Sequence, residues 1–128
     1  MKLNIIIQAR CSSSRLPYKS LMPIKGIPLI VLIAKRLKRK NFNIIVATSD
    51  HESDNDLCNV LDLYKVKYFR GNLKNVYKRI YDCLCSLKNN NLTLRLTGDN
   101  PFVDFRIINK IVNELILKKK HYNYIDHK

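Results

Sequence analysis

Four short segments rich in apolar and β-branched residues alternate along the chain with segments of helical periodicity. Strands that lack a polar face are typical of parallel sheets covered on both sides. The candidate strands are LNIIIQA at residues 3–9, NIIVATS at 43–49, VKYFR at 66–70 and LTLRLTGD with its loop at 92–99. Predicted helices span residues 28–40, 52–65, 73–88 and 104–120, and HYNYID at 121–126 is a candidate last strand. The alternation predicts an α/β fold with a mostly parallel sheet, forming one domain over residues 1–128.

Several residues are predicted to begin or pack these helices. Pro28 suits a first helical turn, and either Asp50 or Ser53 could cap the helix at 52–65. We interpret Asp104 as a helix cap rather than a ligand. In the third helix, four apolar residues recur on one face, namely Val76, Ile80, Leu84 and Leu87.

The chain is strongly basic, with 24 basic and 10 acidic side chains and a net charge of +14. A basic face could bind nucleic acid or another polyanion. Alternatively, the lysines lie on solvated helix faces of a chain that is simply rich in Lys, Asn and Ile. The two clusters, KRLKRK at 35–40 and KKK at 118–120, fall at predicted helix C-termini, where cations suit the helix dipole. We therefore favour the second interpretation over a nucleic-acid partner.

Nothing in the sequence predicts a membrane span or an export signal. The longest apolar run, at residues 27–34, is too short to cross a bilayer and contains Pro28. The N-terminal run leads directly to Gln8 and Arg10, which makes a poor signal peptide. The four cysteines match neither a zinc motif nor a secreted disulfide framework. We expect reduced thiols, no membrane partner and a cytoplasmic location.

The loop QARCSSSRLPYK follows the first predicted strand and combines cations with hydroxyls. In parallel α/β sheets, ligands bind beyond the carboxyl ends of the strands. Arg10, Arg15 and Lys19 could each meet a phosphate oxygen, and Ser12, Ser13 and Ser14 could donate hydrogen bonds. The alternative is a basic surface loop. The loop is not a P-loop, because GxxxxGK[ST] is absent.

The loop after the fourth strand, RLTGDNPFVD at residues 95–104, is acidic. Gly98 permits a close backbone approach, and Asp99 stands at a strand's carboxyl end, where a carboxylate could hold Mg²⁺. The alternative is an ordinary G-D-N-P turn.

The loops after the second and third strands carry further polar candidates. Thr48, Ser49 and Asp50 could contact a base or ribose. A metal cluster around His51 is discounted, because the nearby acids suit the first turn of a helix. Arg70 is either another anion contact or a surface residue before a turn.

Taken together, these loops resemble the SpsF-like cytidylyltransferases of spore-coat polysaccharide synthesis, relatives of the acylneuraminate and 3-deoxy-manno-octulosonate cytidylyltransferases. The similar segments, in the family's order, are IIQARCSSSRLPYKSLMPIKGIPLI, IIVATSD, FRGNLKNVYKRIYD, LRLTGDNPFVD and YNYID. The resemblance implies a Rossmann-like nucleotide-diphospho-sugar transferase fold with three α/β/α layers. It also implies Mg²⁺-dependent transfer of CMP from CTP to a sugar or sugar acid, with release of pyrophosphate.

The resemblance also assigns roles by position. It implies Arg15, Lys19 and Asp99 as catalytic residues, with Asp99 as the metal ligand. The nucleotide-binding positions it implies are Ala9, Arg10, Ser12, Ser13, Arg15, Lys19, Ser49, Asp50, Thr97 and Gly98.

Two departures from the family pattern bear on activity. Ser12 and Tyr18 stand where the family commonly has glycine, and a Cβ there could hinder approach to phosphate. Family members also continue into a second half that shapes the sugar pocket, so we expect a domain truncated relative to theirs. A homodimer or a separate second half is the partner this implies. The alternatives are an inactive nucleotide-binding module and an enzyme that uses another nucleotide, such as UTP.

Overall fold

A computed structural model describes residues 2–12 and 16–122, with side chains in the last helix described as far as residue 118. The predicted alternation of strands and helices is present. In chain order the elements are β1 (Leu3–Gln8), β2 (Pro23–Ile24), β3 (Ile27–Pro28), α1 (Leu29–Leu37), β4 (Phe42–Ser49), α2 (Asn55–Leu63), β5 (Tyr68–Gly71), α3 (Val76–Leu87), β6 (Leu92–Thr97) and α4 (Phe105–Tyr122). Two 3₁₀ turns, Lys19–Leu21 and Glu52–Asp54, precede α1 and α2.

The central sheet has four parallel strands in the order β5-β4-β1-β6. The chain moves from β1 to one side for β4 and β5, then returns to the other side for β6. The strand order therefore reverses between β1 and β6. Ligands in open α/β sheets bind beyond the carboxyl ends of the strands at such a reversal. The loops that follow β1 and β6 meet at this position.

Helices cover both faces of the sheet, which confirms the three-layer α/β/α fold. On one face, Ile5 and Ile7 of β1 pack in a core with apolar residues of α1, α2 and α4. On the other face, Ile6 packs with Cys83 of α3. The predicted apolar face of α3 is present, because Ile80, Leu84 and Leu87 pack against this second core. β1 is thus buried from both sides, as its unbroken apolar run predicts.

A small hairpin formed by β2 and β3 was not predicted from the sequence. It turns at Lys25 and Gly26, which both have positive φ, at 50° and 80°. Pro28 ends this hairpin, so α1 begins at Leu29 rather than at Pro28. Two-residue strands are too short to show a periodic pattern, so no sequence pattern predicts them.

Helix ends agree with the sequence only in part. The Asp104 cap is confirmed, since its Oδ1 accepts hydrogen bonds from the Arg106 and Ile107 amides at 2.9 and 3.4 Å. The prediction that Asp50 or Ser53 caps the helix at 52–65 is wrong. The His51 side chain instead accepts from the Ser53 amide at 3.1 Å and begins the 3₁₀ turn before α2.

The last predicted strand, residues 121–126, is wrong for its first two residues, which belong to α4. Its remaining residues lie outside the described part of the chain. Within residues 2–12 and 16–122, no helix is both long and apolar enough to cross a membrane.

Candidate functional site

A cleft of about 310 Å³ lies beyond the carboxyl ends of β1 and β6, and we call it the β1–β6 cleft. Residues from both loops line it. They are Gln8, Ala9, Arg10, Leu16, Lys19, Ser20, Thr97, Gly98 and Asp99. The basic loop and the acidic loop therefore share one cavity at the reversal of strand order.

Gly98 brings the two loops into direct contact. Its amide donates a hydrogen bond of 2.7 Å to the carbonyl of Gln8 at the end of β1. A Cβ on residue 98 would lie 2.8 Å from that carbonyl oxygen and 3.0 Å from the Cβ of Ala9. A side chain at this position would force the loops apart, so glycine is required by the close approach.

The loop after β1 is folded back on itself before Lys19. The Tyr18 amide donates to the carbonyl of Cys11 at 2.8 Å. Tyr18 has φ 62° and ψ 17°, the left-handed conformation that favours glycine. Its ring is half-exposed and does not line the β1–β6 cleft. A tyrosine in this conformation therefore adds backbone strain without lining the cleft.

A buried carboxylate, Asp54, connects the loop after β1, which lines the cleft, with the end of β4, which does not. Asp54 is fully buried. Its Oδ1 accepts from the Cys11 amide at 2.7 Å, while its Oδ2 accepts from the Ser49 amide at 3.3 Å and from the Ser49 hydroxyl. Burial, followed by the Asp54 charge, raises the pKa of Cys11 to about 11. Cys11 therefore stays a neutral thiol within this network.

Two arginines complete what we call the Arg10–Asp54–Arg79 cluster. Arg10 Nε lies 3.9 Å from Asp54 Oδ2, and Arg10 Nη1 donates to the carbonyl of Leu73 at 3.3 Å. Arg79 is fully buried on α3 and donates to the carbonyl of Asn72 at 3.1 Å. Burial, then the nearby Arg10 charge, lowers the pKa of Arg79, whereas Asp54 opposes this change. The cluster thus links the loops after β1, β4 and β5.

No local signal in the sequence marks Asp54 or Arg79 as functional. Asp54 is one of several acids that suit the start of a helix, and Arg79 lies within the segment FRGNLKNVYKRIYD. Charged residues are rarely fully buried, and no local pattern marks the exceptions.

The predicted site residues divide into three groups: those that line the cleft, those that do not, and those outside the described residues. Those that line the β1–β6 cleft are Ala9, Arg10, Lys19, Thr97, Gly98 and Asp99. Ser49 and Asp50 do not line it, and Ser12 instead accepts hydrogen bonds from Arg10 through its carbonyl and its hydroxyl. Ser13 and Arg15 lie outside the described residues.

The remaining polar candidates after β4 and β5 do not line the cleft. Thr48 is fully buried, and its hydroxyl has no hydrogen-bond partner among the described residues. Arg70 donates to the carbonyls of Ser49 and His51 at 2.9 and 2.8 Å, so its guanidinium holds the β4 loop. Arg70 therefore supports the loop after β4, a role that neither of the two sequence interpretations included.

Asp99 is the carboxylate available to a metal in the β1–β6 cleft. Among the described residues, no three His, Cys, Asp or Glu side chains group together as a metal site. Mg²⁺ commonly uses one or two carboxylates together with substrate phosphates and waters. A single carboxylate beside a cleft with room for phosphates fits this donor set.

Comparisons with known proteins agree on one family. The family model for cytidylyltransferases matches residues 4–128. The chain is 33% identical over 130 aligned positions to the spore coat polysaccharide biosynthesis protein SpsF of Bacillus subtilis, covering 94% of this chain and 52% of that protein. It is 34% identical over 104 positions to the 3-deoxy-manno-octulosonate cytidylyltransferase of Bartonella tribocorum, covering 77% of this chain and 42% of that enzyme.

A solved structure shares the fold. The cytidylyltransferase of Leptospira borgpetersenii serovar Hardjo-bovis superposes with a TM-score of 0.79 at 30% identity, covering 89% of this chain and 48% of that one. The chain therefore spans about half the length of the proteins it matches.

Proposed function

The chain belongs to the cytidylyltransferase family, and from this premise we propose that it binds CTP with Mg²⁺ in the β1–β6 cleft. The proposed reaction transfers CMP to a sugar or sugar acid for surface polysaccharide synthesis and releases pyrophosphate. The observation that carries the proposal is that Lys19 and Asp99 line one cleft at the reversal of strand order. Cations suit a triphosphate, and a carboxylate suits its metal ion.

In the proposed reaction, an acceptor oxygen of the sugar forms a bond to the α-phosphorus of CTP. The bond from that phosphorus to the bridging oxygen breaks, and pyrophosphate leaves with its electron pair. A hydroxyl acceptor also loses its proton to solvent. No covalent enzyme intermediate is needed, so positioning and charge neutralisation supply the catalysis.

Five residues have a proposed part in this transfer. Lys19 and Arg10 neutralise phosphate oxygens, and Arg15 is proposed as a third cation. Gly98 keeps the two loops close enough to hold one triphosphate between them. Asp99 would hold Mg²⁺, which when bound neutralises charge on the triphosphate.

The relatives suggest the acceptor class and the wider setting. SpsF is named for spore coat polysaccharide, and the Bartonella enzyme is named for a sugar acid. We propose residues 1–128 as one nucleotide-binding domain that works with a second half or a second copy. All four cysteines are free thiols, which suits the proposed cytoplasmic location.

The binding test is a thermal shift with CTP and Mg²⁺. We expect CTP with Mg²⁺ to raise the melting temperature, and Asp99→Ala or Lys19→Ala to remove that rise. Lys110→Ala, which changes an exposed lysine on α4, is the matched control and should keep it. No rise for the wild type at millimolar CTP would contradict the proposal.

Two further measurements separate the alternatives. Comparing CTP, UTP, ATP and GTP in the same assay identifies the nucleotide. Pyrophosphate release in the presence of CTP and a sugar acid then distinguishes an active enzyme from an inactive binding module. Stronger binding of UTP would replace the cytidylyl assignment with a uridylyl one.

A further inference from the structure

We propose that Asp54 is a positioning residue that sets the conformation of the nucleotide-binding loop after β1. The inference rests on the proposed function, because that loop supplies Arg10 and Lys19 to the β1–β6 cleft. Asp54 does not line the cleft itself. It would act through the residues that it holds.

The two carboxylate oxygens of Asp54 serve different loops. Oδ1 accepts from the Cys11 amide in the loop after β1, and Oδ2 accepts from the amide and hydroxyl of Ser49 at the end of β4. Both oxygens must therefore be acceptors. Only a carboxylate provides two acceptors in this geometry, since a carboxamide replaces one of them with a donor.

Asp54 also orients the Arg10 side chain. Arg10 Nε faces Asp54 Oδ2 at 3.9 Å and has no hydrogen-bond partner of its own among the described residues. The terminal nitrogens of Arg10 donate to the carbonyls of Ser12 and Leu73. The Asp54 carboxylate therefore attracts Nε of Arg10, while the terminal nitrogens of Arg10 are held by the carbonyls of two loops.

Capping of α2 does not explain why Asp54 is buried. Asp54 directly precedes α2, but its side chain makes no capping hydrogen bond to that helix. A buried carboxylate is costly unless it is paired and hydrogen-bonded. Among the described residues, the hydrogen bonds to this carboxylate come from Cys11 and Ser49, beside the cleft. The carboxylate thus stabilises the loops and not the start of the helix.

The first test compares Asp54→Asn with a control at the opposite end of the sheet. Asn4 is also buried, and its amide donates to Asn89 at 2.8 Å and to Thr93 at 3.3 Å near the amino end of β1. Asn4→Ala should therefore lower the melting temperature without moving the nucleotide loop. Both variants are measured at a temperature where each is folded.

We expect Asp54→Asn to raise the Kd for CTP with Mg²⁺ by at least about tenfold, while Asn4→Ala stays within about twofold of the wild type. A purely structural role would lower the melting temperature of both variants and leave both Kd values unchanged. Equal Kd values for the two variants would overturn the inference.

The second test needs no nucleotide and so separates this inference from the proposed function. Amide hydrogen exchange of the free protein should be faster at Cys11 and over residues 16–21 in Asp54→Asn, but unchanged there in Asn4→Ala. If the wild type fails to bind CTP, the proposed function fails and the exchange data still decide this inference. Unchanged exchange in the loop would refute it.

A milder variant covers the case in which Asp54→Asn does not fold. Ser49→Ala removes the hydroxyl donor to Oδ2 and keeps the carboxylate and the backbone donors. We expect a smaller increase in exchange over the same loop. No increase in this variant would count against the network as described.

Discussion

Replacing Gly98 with alanine tests whether the close approach of the two loops builds the β1–β6 cleft. The new Cβ would lie 2.8 Å from the Gln8 carbonyl oxygen, 3.0 Å from the Ala9 Cβ and 3.3 Å from the Ile30 Cδ1. The first two atoms belong to the end of β1 and the residue after it, and they cannot move as a flexible side chain can. β6 and β1 must separate at this point.

The magnitude follows from three contributions. Overpacking of this kind costs about 1–3 kcal/mol. Separation of the strands also weakens the hydrogen bond from the Gly98 amide to Gln8, which contributes about 1 kcal/mol. The smaller conformational freedom of alanine in the unfolded chain offsets about 0.4–1 kcal/mol. We expect a net loss of about 2 kcal/mol in the free energy of unfolding, or roughly 6–10 °C in melting temperature for a chain of this size.

Gly26→Ala is the matched control for this experiment. Gly26 has φ +80°, but no atom lies within 4 Å of a Cβ built there. Its cost comes only from the left-handed backbone and should be about 1 kcal/mol.

Urea unfolding compares the two variants, and thermal shift compares their binding of CTP. Gly98→Ala should lose more stability and should also bind CTP more weakly, whereas Gly26→Ala should keep the wild-type affinity. If Gly98→Ala is no less stable than Gly26→Ala, the argument from close approach is refuted.

Three further predictions concern residues at the edges of the site and of the helices. Tyr18→Gly should be more stable than Tyr18→Ala by about 1 kcal/mol in urea unfolding, because both lose the ring and only alanine keeps the left-handed strain; equal stabilities would contradict this. The Arg106 side chain and the helix amides hold the pKa of Asp104 below its ordinary 3.8. The wild type should therefore be more stable than Asp104→Asn above about pH 4, and the difference should shrink as the pH falls through the lowered pKa, whereas a pH-independent difference would oppose the argument. In native thiol labelling, only the exposed Cys85 should react rapidly, because Cys11, Cys58 and Cys83 are all buried. Burial also raises the pKa of Cys58, and it raises those of Cys11 and Cys83 to about 11. A second fast thiol would contradict the packing.

Much of the fold could be predicted because the spacing of apolar residues along the sequence indicates which side chains are buried. The run of isoleucines in β1 has no polar face, and the structure buries it between two helical layers. The apolar period of α3 likewise identifies the face that packs on the sheet. The Asp104 cap was predictable because a cap and its partners lie within three residues. The β2–β3 hairpin was missed because each strand has only two residues.

The position of the site could be predicted from the general rule that ligands bind beyond the carboxyl ends of parallel strands, but its detailed contacts could not. Polar loops at strand carboxyl ends are candidate sites in any such fold, and this rule pointed to Lys19 and Asp99. The rule could not say that Ser49 would be turned toward Asp54 instead of lining the cleft. It also could not show that Arg70 binds the backbone of its neighbours.

The sequence alone determined the βα alternation, the buried strands and the charged loops, because each depends on residues close together in the chain. Only the tertiary structure decided that Asp54 joins two loops, since its bond to Cys11 spans 43 positions. Likewise, only folding gathers separated lysines at the amino end of the sheet, where a second cleft of about 250 Å³ is lined by Lys35, Lys38, Arg39, Lys65 and Lys67. Such contacts depend on strand order, and strand order is set by the packing of the whole chain.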